Sequence, residues 1–338
     1  MLSNPELSGL INETIGTSWH KDLFQLRALE PYEKDTNFLH RWRLTQEGAK
    51  TRLAQFVKET MDITIDPGSM FDVQVKRIHE YKRQHLSVLH ILSLYAQIKD
   101  GTLKDATPRT FLFGGKAAPS YTMAKLMIKL ICSAGDMINN DPQVRDLLKV
   151  VFLPNYSVKL GQRIYPAADL SEQISTAGYE ASGTGCMKFM MNGSVTIGTL
   201  DGANIEIRQE AGEENFFLFG LTAAQIAELK GNGYNPRSFY ERSPRLREVL
   251  DGLLDGRFTN GDRDTLAPLV NDLLNADRYC VLADFDAYTA TQSEVGTAYS
   301  DISRWSRMSL LNAARSGRFS SDRTIREYCS DIWNIPVA

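Results

Sequence analysis

An α/β fold, a parallel sheet with flanking helices, is predicted for this 338-residue chain by two observations. Strand-like apolar runs are followed repeatedly by a turn and a helical segment, and the chemically distinctive turns lie just after those runs. Phe71, Val73 and Val75 alternate as a strand; beyond Ile78 the period lengthens, and Tyr81, Leu86, Leu89, Leu92 and Tyr95 suggest a helix. TFLFGG (110–115) reads as a strand entering a turn, 121–138 as a helix with an apolar stripe, KVVFLPN (149–155) as a buried strand and SVKLGQRI as the helix after it. A short helix opens near Gly185 and stops at Asn192-Gly193. A strand over 194–200, a turn at Asp201-Gly202 and a strand within 214–220 follow. From about 221 to Trp333 the pattern is mostly helical, and 231–265, richer in Gly, Pro, Asp and Arg, reads as surface connection. Residues 1–220 are thus expected to form an α/β core and 221–338 a helical part of the same lobe. The arrangement is Rossmann-like, and such sheets bind ligands at the carboxyl ends of their strands.

The most specific stretch is EASGTGCMKFMMNGSVTIGTLDGANIEI, from Glu180 to Ile207. Ser182, Gly183, Thr184 and Gly185 offer hydroxyls and backbone amides to an anion, and the start of a helix adds its dipole. Lys188 stands one turn inside that helix, among Met187, Phe189, Met190 and Met191. Apolar surroundings lower a lysine's proton affinity, and a neutral amine can form a Schiff base with a carbonyl. A phosphate grip beside such a lysine is what pyridoxal phosphate requires. The plainer alternative is a tight turn followed by a lysine whose ammonium lies in solvent. Neither a G-x-G-x-x-G pattern nor a Walker A sequence is present here.

A second cluster, Lys76, Arg77, His79, Lys82 and Arg83 in FDVQVKRIHEYKRQ, has only Glu80 opposing it. Cations at a helix start oppose its dipole unless they share an anion; a solvated basic face is the alternative. The net charge of −3 provides no field for a polyanion, so nucleic acid is excluded and one or two small phosphates fit better.

Together these motifs resemble the glycogen/starch/maltodextrin phosphorylases, with further matching segments GGKAAP (114–119), PAADLSEQISTAGYEASGTGCMKF (166–189), GEENFFLFG (212–220) and SGRFSSDRTI (316–325). The resemblance implies the pyridoxal-phosphate-bearing C-terminal lobe of a GT-B type glycosyltransferase, cleaving an α-1,4-glucan with inorganic phosphate to give glucose 1-phosphate. It implies that Lys188 holds the cofactor as a Schiff base. Lys76, Thr184 and the Gly183–Gly185 backbone would hold the cofactor phosphate, with Tyr156 beside it. Arg77 and Lys82 would bind the substrate phosphate, and Tyr81, Glu180, Ser182 and Gly183 the glucosyl unit. Lys76, Arg77, Lys82 and Glu180 are therefore the expected catalytic set. Crowded phosphates favour a shared proton, so catalysis would be electrostatic and positional, without a carboxylate pair. Cys186 stands where the family usually has asparagine. The chain matches the second lobe only, beginning just inside its first strand, with the N-terminal lobe absent. Little activity alone, and a homodimer for the intact enzyme, are expected. A nucleotide-sugar glycosyltransferase lobe and a non-catalytic truncated domain remain as alternatives.

Composition adds bounds. With 43 % hydrophobic and 23 % charged residues the chain has an ordinary globular profile. Cys132, Cys186, Cys280 and Cys329 show no zinc or C-x-x-C spacing, and His20, His40, His79, His85 and His90 no metal motif. No signal peptide and no apolar span of membrane length is apparent, so a cytoplasmic location and no membrane partner are expected.

Overall fold

A computed structural model describes residues 2–336. Six strands, β1 (Met70–Val75), β2 (Arg109–Gly114), β3 (Leu148–Leu153), β4 (Leu170–Gln173), β5 (Val195–Gly198) and β6 (Phe216–Leu218), form one wholly parallel sheet. Its order, β3-β2-β1-β4-β5-β6, reverses direction between β1 and β4, which opens a crevice at their carboxyl ends. The fold class read from the sequence is the one observed.

Side chains alternate across a strand, so the two faces of β1 feed two cores. Phe71, Val73 and Val75 pack with Leu53 and Val57 of the helix Thr36–Met61, and with Leu160 and Ile164 of the helix Val158–Ala167. Met70 lies in the opposite core with Leu86 and Leu89 of the helix Gln84–Lys99 and Met127 and Ile131 of the helix Thr122–Asn140. Every residue of β1 is buried, including Asp72 and Gln74. Burial pushes Asp72 up to about 6 against the pull of Arg109, and raises Glu172 of β4 well above its ordinary value. Glu172 Oε1 accepts from the Tyr288 hydroxyl at 2.9 Å and from Gln292 Nε2 at 2.7 Å.

Two expectations are corrected. The chain does not begin inside a strand: among the described residues, everything before Met70 that is regular is helical. The carboxylate of Asp35 caps Thr36–Met61 by accepting from the amides of Asn37 (2.9 Å) and Phe38 (3.0 Å). Trp42 and Leu29 then pack on Leu310 and Ala313 of the helix Ile302–Ala314. Nor is 231–265 mere surface connection. It holds the helices Pro236–Arg242 and Pro244–Leu254, and Leu246, Val249, Leu250 and Leu253 are buried in the main core. Its prolines are helix starts, each preceded by a capping side chain: Asn235 accepts from Arg237 N at 3.1 Å and Ser243 from Leu246 N at 3.3 Å.

No helix among the described residues is long and apolar enough to cross a membrane, and no group of side chains there is arranged to hold a metal ion.

Candidate active site at the sheet's switch point

Lys76 and Arg77 extend from the end of β1, Tyr156 follows β3, and Gln173 ends β4 with Glu180 and the Gly183–Lys188 segment downstream. Parallel strands bring all these positions to one edge of the sheet. The β1–β2 ladder continues past both strands: Lys76 N donates to Gly114 O at 3.0 Å, and Ile78 N to Lys116 O at 3.1 Å. Gly115 makes this approach possible, since a Cβ there would stand 1.9 Å from the Lys76 carbonyl oxygen. Gly115→Ala should therefore displace the Lys76 backbone and lower stability by about 1–3 kcal/mol, measured by urea denaturation; an unchanged midpoint would contradict this.

Lys76 is the desolvated cation of the site. Its ammonium donates to Gln173 Oε1 at 2.8 Å, and it has no carboxylate ion-pair partner among the described residues. Burial, then the charge of Lys82, pulls it down to about 8. Lys82 is different: its ammonium pairs with the Glu180 carboxylate and sits 4.6 Å over the Tyr81 ring. Burial draws Lys82 down, but the Glu180 and Tyr81 interactions outweigh it and the net shift is upward. Glu180 is fixed through its backbone, donating to Asp201 Oδ2 at 2.8 Å. Gly202, at φ +51°, lets the Glu180 carbonyl approach to 2.5 Å of where a Cβ would stand.

The helix Gly185–Met191 opens after the glycine turn as read from the sequence, and its first-turn amides lack intrahelical acceptors. The expected apolar burial of Lys188 is not found. Phe189 and Met190 turn into the protein, whereas Lys188 is exposed, because successive helical residues point about 100° apart. Its ammonium lies 5.7 Å from the centroid of the Tyr165 ring, and the Tyr165 hydroxyl hydrogen-bonds that of Tyr156 at 3.0 Å. Cys186 is buried, its thiol donating to the Gly183 carbonyl at 3.0 Å. Burial raises its pKa, partly offset by the charge of Lys76.

Not every expected residue is engaged. Arg77 is exposed, and its guanidinium makes no hydrogen bond or ion pair among the described residues; only its carbonyl is used, accepting from Gln84 Nε2 at 3.0 Å. Ser182 and Thr184 are exposed, and Thr184 makes no side-chain capping bond. Arg83 leaves the basic cluster altogether. It is fully buried with φ 56°, pairs with Asp284 at 2.7 Å and donates through Nε to the Ile174 carbonyl at 2.7 Å. His79 packs in an aromatic wall, its ring centroid 4.8 Å from that of Tyr81 and 4.9 Å from that of Tyr121. Burial lowers its pKa. Sequence reading missed Gln173, Tyr165 and Asp201. Only the odd parity that puts Gln173 on the face of Ser171 could have pointed to the first.

The donor set suits a phosphate-bearing aldehyde: an exposed amine beside an aromatic ring, free amides at a helix start, and a desolvated ammonium without a carboxylate partner.

Residues 1–335 match the family model described as carbohydrate phosphorylase. A glycogen phosphorylase of Synechocystis sp. is 56 % identical over 335 residues, covering 99 % of this chain and 40 % of that protein. The muscle form of glycogen phosphorylase from Oryctolagus cuniculus is 48 % identical and the liver form from Homo sapiens 49 %, with the same coverage. The chain thus spans about 40 % of the length of these curated relatives. It belongs to the carbohydrate phosphorylase family.

Proposed function

We propose that this chain is the cofactor- and phosphate-binding lobe of an α-glucan phosphorylase that cleaves an α-1,4-glucan with inorganic phosphate to give glucose 1-phosphate. Residues 1–220 are its α/β core and 221–338 its helical part. A second, N-terminal lobe completes the sugar pocket, and the intact enzyme is a cytoplasmic homodimer. One observation carries the reading: turns from separate strands meet at the switch point, placing Lys76, Lys82 and the Gly183–Lys188 segment around one crevice. The printed names of the relatives, glycogen phosphorylases, support the reaction class.

Lys188 is the amine that would hold pyridoxal phosphate. Lys76, Thr184 and the amides of Gly183–Gly185 would hold its phosphate, with the Tyr156–Tyr165 hydroxyl pair alongside. The chemistry that pyridoxal phosphate would supply when held there is a phosphate able to exchange a proton with inorganic phosphate. Arg77 and Lys82 receive inorganic phosphate. Because Lys82 is already paired with Glu180, the incoming anion competes for that ammonium. The displaced carboxylate is then released toward a sugar hydroxyl, beside Tyr81, Ser182 and Gly183. The two cations Arg77 and Lys82 together would offset the charge of one phosphate.

The first test is incubation with pyridoxal phosphate, borohydride reduction and peptide mass spectrometry. A stoichiometric adduct on Lys188 is expected; stabilisation by UDP instead, with no adduct, would favour a nucleotide-sugar transferase. Glycogen with phosphate should release no measurable glucose 1-phosphate from the chain alone, and release by the purified chain would overturn the need for a second lobe.

Anion affinity should also follow Lys76. An anion favours its protonated form, so affinity is full below about pH 8 and falls as pH rises through that value, approaching tenfold per pH unit. Sulfate does not titrate in this range, and calorimetric titrations from pH 7 to 9.5 read the effect directly. A flat profile would remove Lys76 from the anion site.

A further inference from the structure

We infer that Gln173 is the positioning residue of the anion site, holding the Lys76 ammonium by a neutral oxygen, with Ser171 fixing the amide that does so. The inference rests on the cofactor reading above and assigns a role to two residues outside the expected binding set. Lys76 and Lys82 share one crevice but have opposite partners. Lys82 is compensated by the Glu180 carboxylate; Lys76 is held at 2.8 Å by the Gln173 carboxamide. A lysine ammonium has three donors, so after the bond to Gln173 two remain, along with the whole positive charge. A carboxylate at position 173 would cancel that charge and repel an arriving anion.

The orientation of the amide follows from chemistry. An ammonium only donates, so it must face the amide oxygen. The amide nitrogen then faces Ser171, and Nε2 donates to Ser171 Oγ at 2.8 Å. Ser171 is completely buried two residues earlier on the same face of β4. It is in register with Val73 of β1 on one side and Thr196 of β5 on the other. The chain Ser171–Gln173–Lys76 is therefore anchored in a central strand at the switch point, where its backbone has no freedom to follow a ligand.

The test compares pyridoxal phosphate with pyridoxal, which has the same ring and aldehyde but no phosphate, on the full chain and on Gln173→Glu and Gln173→Met. Gln173→Glu should weaken pyridoxal phosphate by about tenfold or more at pH 7 and leave pyridoxal nearly unchanged. Sulfate binding to Gln173→Glu should weaken likewise and lose its fall above pH 8, because the new carboxylate keeps Lys76 charged. Gln173→Met should weaken sulfate less and keep the pH dependence. Circular dichroism melting checks that each variant is folded. Parallel losses for pyridoxal phosphate and pyridoxal would mean a merely structural role and overturn the inference. So would sulfate affinities unchanged in both variants. Failure of the cofactor reading shows separately, as a wild-type chain with no Lys188 adduct and no preference for the phosphorylated ligand; the sulfate arm still decides the role of Gln173.

Discussion

Replacing Lys188 by arginine is expected to abolish the borohydride-trapped adduct while leaving the melting temperature nearly unchanged. Arginine keeps the charge and helix propensity, and an exposed position away from special contacts usually changes stability by less than about 0.5 kcal/mol. The prediction is sharp because the crevice holds a chemical competitor. Lys76, drawn down to about 8, is neutral in roughly one molecule in ten at pH 7, whereas Lys188 is exposed. If amine basicity alone governed the reaction, the aldehyde would be trapped on Lys76. Geometry argues for Lys188: its amine stands beside the Tyr165 ring, one turn into the short helix that follows the glycine turn. Mass spectrometry of the trapped peptides separates the two, and a full-strength adduct on Lys76 in the Lys188→Arg chain would show that reactivity and not placement selects the lysine.

The second large effect concerns stability. Arg83→Met should lower the unfolding free energy by about 3–5 kcal/mol, a large part of the total for an ordinary domain. The guanidinium is wholly buried, paired with Asp284 and donating to the Ile174 carbonyl. Removing it strands the Asp284 carboxylate, which also accepts from Leu221 N at 2.9 Å. Adding Asp284→Asn keeps that acceptor and deletes the orphaned charge, so the double variant should recover part of the loss. Urea denaturation of the four chains of this cycle measures it. Additive losses would mean that the pair is not coupled. A loss below about 1 kcal/mol for Arg83→Met would return Arg83 to the solvated basic face.

Arg83 and Lys82 are adjacent in a run of cations, yet one spans the interior and the other faces the crevice. Nothing in the local sequence separates them, because what separates them is Asp284, 201 residues away. Asp72 is similar: the alternation of Phe71, Val73 and Val75 identifies the strand, but a strand buried on both faces must carry its polar residues inside too. Arg109, Glu172 and their partners make that tolerable. The 231–265 stretch was misread for a related reason. Its prolines signal breaks locally, and only the packing of Leu246 and Leu250 on the main core makes the segments between them helices.

By itself the sequence determined the parallel α/β class, five of the six strands, the short helix carrying Lys188, and the family, because these rest on periodicity and on motifs continuous along the chain; β4, whose residues LSEQ show no apolar alternation, is recognised only by its pairing in the sheet. Only the tertiary structure decided which cations are buried, which are paired and which are free. Those properties depend on desolvation and on partners brought from distant strands. Lys76 is accordingly the lysine whose proton burial loosens, and Gln173, silent in the sequence, is the residue that holds it.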